Sequence, residues 1–541
     1  MEKKLINKKH NILDCTFRDG GYYNNWHFNI TLIKKYISIM LKLDVKIVEL
    51  GFRFIEVNES LGILANTTDK LLHKLNIPKK LKVAVMINAK EFLNYSGGIK
   101  AAIDKVFNNA SNSRVDLVRV AIHIESAVLC YDILKLLDEK GYSVALNLMQ
   151  SSSVNKKKLI QIVRQINKWS FIKILYFADT FGDMDPDNVR DISSLIQKNF
   201  SGNVGFHAHN NKGIALVNSL TALKHGTTFV DSTIMGMGRG AGNTQTENLL
   251  LELETISNKK KNSINKLLPI LLRDFEKLKN KYCWGTNLYY YLAAQYQIHP
   301  TYIQTMLDDK KYVAEGIINT INFLKDKNSS SYNDENMIKA ETGKIGKLKG
   351  NWKAKSLNYK KDILLIGAGR NVKKYHNEIK NYIKKNNPVV ISLNINKYID
   401  PSFINYYLAC DQTRIILEAY DYSTSEKALI VPLSRVEKDI KKQIKKSNLK
   451  DFGLKIGNEN FKTIKTDGCI LKKPLAIAYA LSFANASKVR NIFLVGMDGY
   501  PKNDSNNLIM QDLFDEYNSY NLRNIYAITP TKYNIKKKYI I

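Results

Sequence analysis

The sequence contains little proline, glycine or cysteine for its length. Its 541 residues include 10 prolines, 28 glycines and 5 cysteines. That composition excludes a collagen-like chain, and a hydrophobic fraction of 44% excludes a chain that is disordered throughout. The cysteines are odd in number and form no CxxC pair, so no disulfide framework is predicted.

Long apolar segments are lacking as well. The opening stretch MEKKLINKKHNILDC has no apolar core of the kind found in signal peptides. No uncharged apolar run reaches the roughly 18 residues that a membrane helix needs. We therefore expect a cytoplasmic protein with no membrane partner.

Acidic residues are scarce relative to basic ones. Lys and Arg number 82 and Asp and Glu 50, which gives a formal net charge of +32. Such a surplus could attract nucleic acid, anionic lipid or phosphorylated metabolites. No aromatic-basic stripe or zinc-ligand spacing accompanies the charge, which argues against a nucleic-acid partner. Short lysine runs among many Asn and Ile are equally typical of a biased overall composition.

The chain is too long for one hydrophobic core, so we expect at least two domains. Eight short apolar runs alternate with amphipathic stretches of helical period, beginning near residues 11, 46, 82, 116, 143, 172, 203 and 228. An α/β fold with eight strand–helix units in series predicts a (β/α)₈ barrel over residues 1–263. A doubly wound open sheet is the rival, but it rarely continues so regularly to eight.

Three further segments follow the predicted barrel. Residues 264–325 have helical period and are predicted to form a helical extension. Residues 326–360, with Ser, Asn and scattered Gly and Lys, are predicted to be a linker or a poorly ordered crossover. A second, smaller Rossmann-like α/β domain is predicted over residues 361–541, beginning with the strand and turn KDILLIGAGR.

Polar residues gather where the predicted barrel strands end, which is where active residues of barrel enzymes lie. They are Arg18, Asp19, Glu49, Asn88, His123, Asn147, Gln150, Asp179, His207 and His209.

A metal site is predicted at the mouth of the barrel. His207 and His209 stand two apart on one strand, so both imidazoles point the same way. Asp19 follows the first strand, which lies close to the seventh around a closed barrel. This N/O donor set suits Mn²⁺, Mg²⁺ or Zn²⁺. Arg18 would place a permanent cation near a developing enolate.

The first ~325 residues resemble the HMG-lyase-like metal-dependent barrel family, also known as the pyruvate carboxyltransferase domain. This family includes 4-hydroxy-2-oxoacid aldolases, HMG-CoA lyase and isopropylmalate synthase. The matching motifs are TFRDG at 16–20, ADTFGDM at 178–184, GFHAHNNKGIALVNS at 205–219 and GMGRGAGNTQTE at 236–247.

The resemblance implies a role for each matching residue. Asp19, His207 and His209 would bind the metal, Mn²⁺ or Mg²⁺ in preference to Zn²⁺, and Arg18 would stabilise the enolate. Thr180 stands where the aldolases place a small hydroxyl residue near substrate. Asn243 matches an Asn that binds metal in some members, and a structural turn is the equal alternative.

The glycine-rich segment GMGRGAGN favours the 4-hydroxy-2-oxovalerate aldolase branch. It lacks the Cys of HMG-CoA lyase and the Glu-Arg pair of the Claisen-type synthases. One departure stands out, because Tyr22 replaces the catalytic His of those aldolases. Tyr22 could take the C4 hydroxyl proton if the metal and Arg18 lower its pKa, or it could be a packing residue in a barrel that has lost activity.

Other residues are candidates for proton transfer and for substrate orientation. The base could instead be His27, His123 or Tyr291. Substrate-binding roles are predicted for Glu49, Asn88, His123 and Asn147. For Glu49, Asn88 and Asn147, a structural hydrogen bond is at least as good an interpretation.

The second domain carries a glycine-rich turn, Gly367-Ala368-Gly369, between a strand and a helix, which suits phosphate binding. Val372 replaces the third glycine of the dinucleotide fingerprint and the next strand ends in Asn394 rather than an acid, so no nicotinamide enzyme is predicted. The domain faintly resembles Rossmann-like domains of sialyltransferase-like and flagellin-glycosylation accessory proteins. That resemblance implies a nucleotide-linked sugar at Gly367, Gly369 and Asn394, and a plain structural turn is the alternative.

Taken together, these features predict a divalent-metal-dependent aldolase acting on a 2-oxo acid and an aldehyde. It would be fused to a nucleotide- or sugar-phosphate-binding α/β domain, in the synthesis of an acidic sugar for a surface glycan. The alternatives are a Claisen-type acyl-CoA condensing transferase and a catalytically silent barrel that serves as a scaffold. Assembly into a homo-oligomer is left open.

Overall fold

The computed structural model describes residues 10–540 except for 44, 57, 259–262, 310, 311, 313, 326, 328, 334, 335, 338–344, 355–360, 445–447 and 502–505. The chain forms two compact units. The first comprises Met1–Thr305 with Ser329–Tyr332, and the second comprises Met306–Asn328 with Asn333–Ile541.

The first unit is built on a closed barrel of eight parallel strands in sequential order. The strands are β1 (Asn11–Asp14), β2 (Ile47–Phe52), β3 (Lys82–Asn88), β4 (Leu117–His123), β5 (Ser143–Met149), β6 (Ile174–Asp179), β7 (Asn203–Ala208) and β8 (Phe229–Ser232). The predicted (β/α)₈ barrel is confirmed.

Helices surround the strands and continue beyond them. They are α1 (Thr16–Gly20), α2 (Ile30–Met40), α3 (Asp69–Leu75), α4 (Ala89–Leu93), α5 (Gly98–Val106), α6 (Tyr131–Glu139), α7 (Lys156–Asn167), α8 (Pro186–Asn199), α9 (Ala215–Lys224), α10 (Thr246–Ser257), α11 (Ser263–Ile270), α12 (Glu276–Tyr282), α13 (Leu288–Gln295) and α14 (Pro300–Asp308). Local signals begin several of them: Asp185 and Asn188 form a capping box at α8, with Pro186 at its first position.

The barrel interior is layered, because alternate residues of each strand point inward. The bottom layer is apolar and includes Leu13, Ile47, Leu117, Tyr176 and Phe229. Two residues further along their strands come the buried charges Glu49, Arg119 and Asp231. A dry, charged layer of this kind needs internal ion pairs, and it forms the floor under the mouth of the barrel.

The second unit contains an eight-stranded parallel sheet of order β13-β12-β11-β10-β9-β17-β18-β19 and a small sheet β14-β16-β15. The strands are β9 (Ile363–Ile366), β10 (Val389–Leu393), β11 (Tyr406–Leu408), β12 (Ala428–Val431), β13 (Leu449–Asp451), β14 (Gly453–Ile456), β15 (Ile464–Lys465), β16 (Gly468–Leu471), β17 (Ile492–Val495), β18 (Ile525–Ala527) and β19 (Lys536–Lys537). The order reverses direction at β9, which is the topological switch point of a doubly wound sheet.

Its helices are α15 (Ala314–Leu324), α16 (Arg370–Lys374), α17 (His376–Asn386), α18 (Gln412–Leu417), α19 (Ala419–Thr424), α20 (Lys438–Gln443), α21 (Ala476–Ala486) and α22 (Asn506–Ser519). Helix α15 belongs here because Asn319 hydrogen-bonds Asp411 and Thr413. The predicted extension 264–325 is therefore divided between the units, and much of the predicted linker 326–360 lies outside the described residues. In the described part of the chain, no helix has the length and apolar character needed to cross a membrane.

Candidate active site

The motif after β1 turns back on itself, so that Arg18 and Asp19 meet the ends of the other strands. Asp14 accepts hydrogen bonds from the backbone N–H and hydroxyl of Thr16 and from the hydroxyl of Thr246. These bonds begin the short helix α1 directly at the strand end and tie it to the segment after β8.

Three donor side chains converge at the mouth of the barrel. One ligand atom from each of Asp19, His207 and His209 lies within 4.8 Å of the others, and all three residues are buried. Asp19 Oδ2 lies 3.5 Å from His207 Nε2. His207 Nδ1–H donates to Asp231 Oδ2 at 2.8 Å, an orientation typical of a metal-binding histidine.

The site has the features expected of a metal centre. Asp19 Oδ2, His209 Nδ1 and Asn243 Oδ1 are buried and have no hydrogen-bond partner among the described residues. A Cβ at Gly238 would lie 1.7 Å from Asn243 Oδ1 and 3.2 Å from Asp19 Oδ2, so the glycine leaves these two oxygens a shared space. The donor set therefore fits a divalent cation.

A second cluster, Cys15 with His207 and Asp231, is a poorer candidate. Burial raises the pKa of the Cys15 thiol well above its usual range, so the thiol stays protonated and is a poor ligand. Asp231 Oδ2 is already held by His207 and by Arg119 at 2.6 Å.

The electrostatics of the first cluster favour an ionised carboxylate beside a neutral imidazole. Burial alone would raise the pKa of Asp19, but the Arg18 guanidinium and both histidines hold it well below its usual range. Burial, with the nearby positive charges, lowers the pKa of His209 well below its usual range. Burial opposes protonation of His207, yet the carboxylates of Asp19 and Asp231 raise its pKa.

Arg18 is held rigidly beside the cluster. It donates through Nε to Glu49 Oε2 and through Nη1 to Asp19 Oδ1, both at 2.7 Å. Its Nη2 is buried and finds no hydrogen-bond partner in the described part of the chain. The network continues below, because Arg119 donates to Glu49 Oε2 at 3.0 Å and to Asp231.

A cavity of about 220 Å³ opens above the cluster. Its polar lining residues are Arg18, Asp19, Tyr22, Asn88, His123, Asn147, Gln150, Thr180, His207, His209, Arg239 and His299. Thr180 Oγ1 accepts from the Gln150 N–H at 2.7 Å, and Gln150 Oε1 lies 3.0 Å from His123 Nδ1.

Most of the residues predicted for the site are brought together, but some are not. Tyr291 is 46% exposed on α13 and does not line the cavity. His27 is also exposed, with its ring 3.0 Å from the Ser60 carbonyl. Glu49 is fully buried behind Arg18 and cannot touch a substrate in the cavity. Asn88 lines the cavity, although its side chain also caps α4.

Tyr22 lines the cavity with its ring packed against Trp26, centroid to centroid 4.9 Å. Burial raises the pKa of its phenol, while Arg239 and Arg18 act in the opposite sense. Tyr22 could act as a base only if its pKa were lowered. The charged residues of the protein do not outweigh the effect of burial, so they do not meet this condition.

Sequence reasoning misses four residues of this region. Arg119 and Asp231 form the charged floor of the cavity. The sequence feature that could have identified them is a charged residue within an otherwise apolar strand. In the sequence, Arg239 is notable only because no Glu precedes it, unlike the Arg of the Glu-Arg pair in the Claisen-type synthases. His299 lies in the helical extension, where a lone histidine gives no signal.

Comparison with known proteins agrees with this geometry. The HMGL-like family model matches residues 9–271. The 4-hydroxy-2-oxovalerate aldolase of Carboxydothermus hydrogenoformans is 32% identical over 46% of this chain and 71% of its own, and that of Pelotomaculum thermopropionicum is 30% identical over 45% and 69%. The chain belongs to the HMGL-like family.

Among solved structures, this HMGL-like chain is similar to the carboxyl transferase domain of Rhizobium etli pyruvate carboxylase. That domain is 14% identical with a TM-score of 0.49, and the match covers 63% of this chain and 61% of that one.

The second unit has its own cavity, of about 680 Å³, at the carboxyl ends of β9, β10 and β17. Gly367, Gly369 and Asn394 all line it, together with Arg370, Asp498 and Lys532.

The glycine turn is packed closely against the loop that follows β17. A Cβ at Gly369 would lie 2.5 Å from Asp498 Cγ, and one at Gly367 would lie 2.5 Å from Met497 Cε. Asp498 Oδ2 already accepts from the Asn371 N–H at 2.7 Å, where a phosphate oxygen would otherwise bind. The glycines therefore allow the close packing of two loops, which favours the structural alternative for this turn.

Proposed function

We propose that the first unit is a divalent-metal-dependent carbon–carbon lyase that cleaves or forms a 4-hydroxy-2-oxo acid through a pyruvate-type enolate. The observation that carries the proposal is the cluster of Asp19, His207 and His209 beside the Arg18 guanidinium in one cavity. Membership of the HMGL-like family and similarity to 4-hydroxy-2-oxovalerate aldolases support it.

Asp19, His207 and His209 would hold the metal, with the side-chain oxygen of Asn243 as a further donor. Two oxygen donors favour Mn²⁺ or Mg²⁺ over Zn²⁺. When bound, the ion supplies Lewis-acid polarisation of a 2-oxo acid.

Arg18 acts on the charge that develops during the reaction. Its Nη2 has no hydrogen-bond partner among the described residues, whereas Nε and Nη1 are engaged by Glu49 and Asp19. The guanidinium is therefore held in place with one donor group left over, and this group would bind the enolate oxygen. Fixed donors in a dry site stabilise developing charge strongly because they need no reorganisation.

Cleavage also requires a group that takes the proton of the C4 hydroxyl. Tyr22, His123 and His299 line the cavity and can move a proton. The raised pKa of Tyr22 keeps its phenol protonated, and burial lowers the pKa of His299 to about 3, which makes it a weak base. These facts favour His123, oriented by Gln150, as the proton acceptor.

The test is exchange of the C3 protons of pyruvate in D₂O, followed by NMR on the metal-loaded full chain. We expect metal-dependent exchange that Arg18→Ala abolishes while metal content is unchanged. Exchange that survives Arg18→Ala would contradict the assigned role. CoA release from an acyl-CoA without pyruvate exchange would favour the Claisen-type alternative. A protein that neither binds metal nor exchanges would be a silent scaffold.

For the second unit we propose a binding site for a nucleotide-linked sugar. The supporting observation is the cavity at the topological switch point, where doubly wound sheets bind ligands. Because Asp498 fills the glycine turn, the phosphates are assigned to Arg370 and Lys532 instead. Joined to a 2-oxo acid aldolase, such a site would serve the synthesis of an acidic sugar for a surface glycan.

Calorimetric titration of the full chain with UDP- and CMP-linked sugars tests this site. We expect Arg370→Ala and Lys532→Ala each to weaken binding about tenfold, as loss of one charged hydrogen bond does. Lys385, exposed on α17 outside the cavity, provides the matched control Lys385→Ala. Equal binding by all three variants would contradict the assignment.

A further inference from the structure

We infer that Arg239 and His299 form an anion subsite in the barrel cavity, so that the aldehyde partner carries a phosphate or a carboxylate of its own. This inference rests on the proposed aldolase function and specifies its second substrate. Neither residue belongs to the cluster of Asp19, His207 and His209. Neither belongs to the hydrogen-bond network that joins Arg18, Glu49, Arg119 and Asp231.

Arg239 is a cavity arginine for which the described residues supply no acidic partner. Its Nε is buried and donates to no acceptor in that part of the chain. No carboxylate oxygen of the described residues lies within 4.0 Å of its guanidinium. By contrast, Arg18, Arg53 and Arg119 of the same unit each pair with at least one carboxylate.

Arg239 is half-buried, and its Nε is shielded from solvent. A charge that is partly withdrawn from water and has no acidic partner is stabilised by a bound anion. The guanidinium Cζ lies 5.6 Å from the centre of the Tyr22 ring, which holds the side chain at the cavity wall. The planar donors of arginine suit two-point binding of a carboxylate or a phosphate. The geometry therefore leaves Arg239 ready for a ligand anion.

His299 adds a hydrogen-bond donor from a different element. The Thr301 N–H points to His299 Nδ1 at 3.4 Å, so in the neutral ring the proton lies on Nε2. Burial lowers the pKa of His299 to about 3, and the charges of Arg239 and His123 add to the effect. The ring is thus a neutral donor close to the Arg239 charge.

The charge of the cavity lining points the same way. Asp19 is the one carboxylate among the described lining residues, and Arg18 already pairs with it. Arg239 is consequently uncompensated until an anion enters. The 2-oxo acid would bind Arg18 and the metal that Asp19, His207 and His209 would hold, so the anion at Arg239 is assigned to the other substrate.

Cavity size limits that substrate to a short molecule. A volume of about 220 Å³ lies below the usual range of roughly 300–1,000 Å³ for sites that enclose larger ligands. In the addition direction, C3 of the enolate bonds to the aldehyde carbon and the aldehyde oxygen takes a proton to become the C4 hydroxyl. The anionic group is bound but not changed.

The first experiment compares aldehydes in metal-dependent addition of pyruvate by the full chain. Glyceraldehyde 3-phosphate and succinic semialdehyde are the anionic arms, and glyceraldehyde and butanal are their neutral counterparts. We expect kcat/KM to be about 10–100-fold higher for one of the anionic arms than for its counterpart, the range of a charged hydrogen bond. The arm that is preferred identifies the anion as phosphate or carboxylate.

Arg239→Gln should abolish this preference, and His299→Gln should reduce it. Arg164→Gln, at an exposed arginine of α7 outside the lining, is the matched control and should leave it unchanged. Equal rates with anionic and neutral aldehydes in the unaltered protein would overturn the inference.

Pyruvate exchange in the same variants separates this inference from the function on which it rests. If Arg239 does not bind pyruvate, Arg239→Gln should change the KM for pyruvate by no more than about twofold. Loss of a contact to the pyruvate carboxylate would instead raise that KM about tenfold or more. A KM increase of about tenfold would show that Arg239 holds the pyruvate carboxylate, which overturns the inference but leaves the aldolase intact.

If the unaltered protein shows no exchange, the proposed function fails and the subsite is tested by binding alone. Calorimetry then compares glycerol 3-phosphate and succinate with glycerol. Binding of either anion that is lost in Arg239→Gln supports the subsite. Absence of binding to both overturns it.

Discussion

Arg18, Arg119 and Arg239 are all arginines of the same barrel, yet their surroundings differ. Arg119 is wholly enclosed and pairs with Glu49 and Asp231, so it stabilises the floor. Arg18 also pairs with Glu49, but its Nη2 has no hydrogen-bond partner among the described residues. Arg239 has no carboxylate partner in the described part of the chain. The number of acidic neighbours is the basis on which we assign Arg119 a structural role and propose substrate contacts for Arg18 and Arg239.

Removing a donor of the cluster should remove the metal. Asp19→Ala and His207→Ala are expected to purify with less than about a tenth of the metal of the unaltered protein, because a divalent ion held by three side chains depends on each. Metal analysis of the purified proteins measures this, with circular dichroism to verify folding. His123→Ala, which changes the cavity but not the cluster, should retain the metal. Retention by all three variants would disprove the cluster.

Removing Arg119 should destabilise the first unit. Arg119→Met leaves Glu49 with one partner and Asp231 with His207 alone, in a dry layer. Breaking one side of a buried pair costs about 3–5 kcal/mol of the free energy of unfolding. Urea unfolding followed by circular dichroism measures the loss, and Arg164→Met at an exposed position should change stability by less than about 0.5 kcal/mol. A loss below about 1 kcal/mol would refute the role of the charged floor.

At the scale of elements, the barrel was predictable because its signal repeats. Eight apolar runs with helical stretches between them leave few other folds, and the donors lie at strand ends, where Asp19, His207 and His209 stand in recognisable motifs. His299 and Arg239 could not be assigned in this way. Their roles depend on how a loop and a helix after the barrel approach the mouth, and this approach has no local sequence signature.

In the second unit, a short sequence motif did not predict how the glycine-rich turn packs. The segment GAGR after β9 has the spacing of a phosphate-binding turn, but its glycines face Met497 and Asp498. No local pattern indicates that the loop after β17, more than a hundred residues later, packs against this turn.

Replacement of Gly369 tests the packing of these two loops. Gly369→Ala would place a Cβ 2.5 Å from both Asp498 Cγ and the Gly496 carbonyl oxygen, so one loop must move. Overpacking of this kind costs about 1–3 kcal/mol. Gly316, in α15, is the control because its nearest neighbour is Tyr312 Cδ1 at 4.0 Å. Gly316→Ala should leave the stability of the second unit unchanged or raise it by up to about 1 kcal/mol in denaturant titrations.

At the scale of the molecule, the chain holds two units with separate hydrophobic cores. A ligand that binds one folded unit stabilises that unit by mass action, by about 2.7 kcal/mol when its concentration is about a hundred times Kd.

Scanning calorimetry of the full chain should therefore resolve two transitions, and Mn²⁺ should raise the Tm of only one. Chelation with EDTA should reverse the shift, and Asp19→Ala should not respond to the ion. A metal response that persists in Asp19→Ala, or that moves both transitions equally, would contradict a single site in the barrel.

The division of the chain has a practical consequence for dissecting the protein. Helix α15 precedes Ser329–Tyr332 in the sequence but belongs to the second unit, whereas that four-residue segment belongs to the first. Gln150 of the cavity donates to the carbonyl of Ser330, one of those four residues. A barrel fragment made by a single truncation must therefore either lose this contact or carry along a helix that is foreign to it. Producing the barrel in complete form would require a gene in which a short designed bridge replaces residues 306–328.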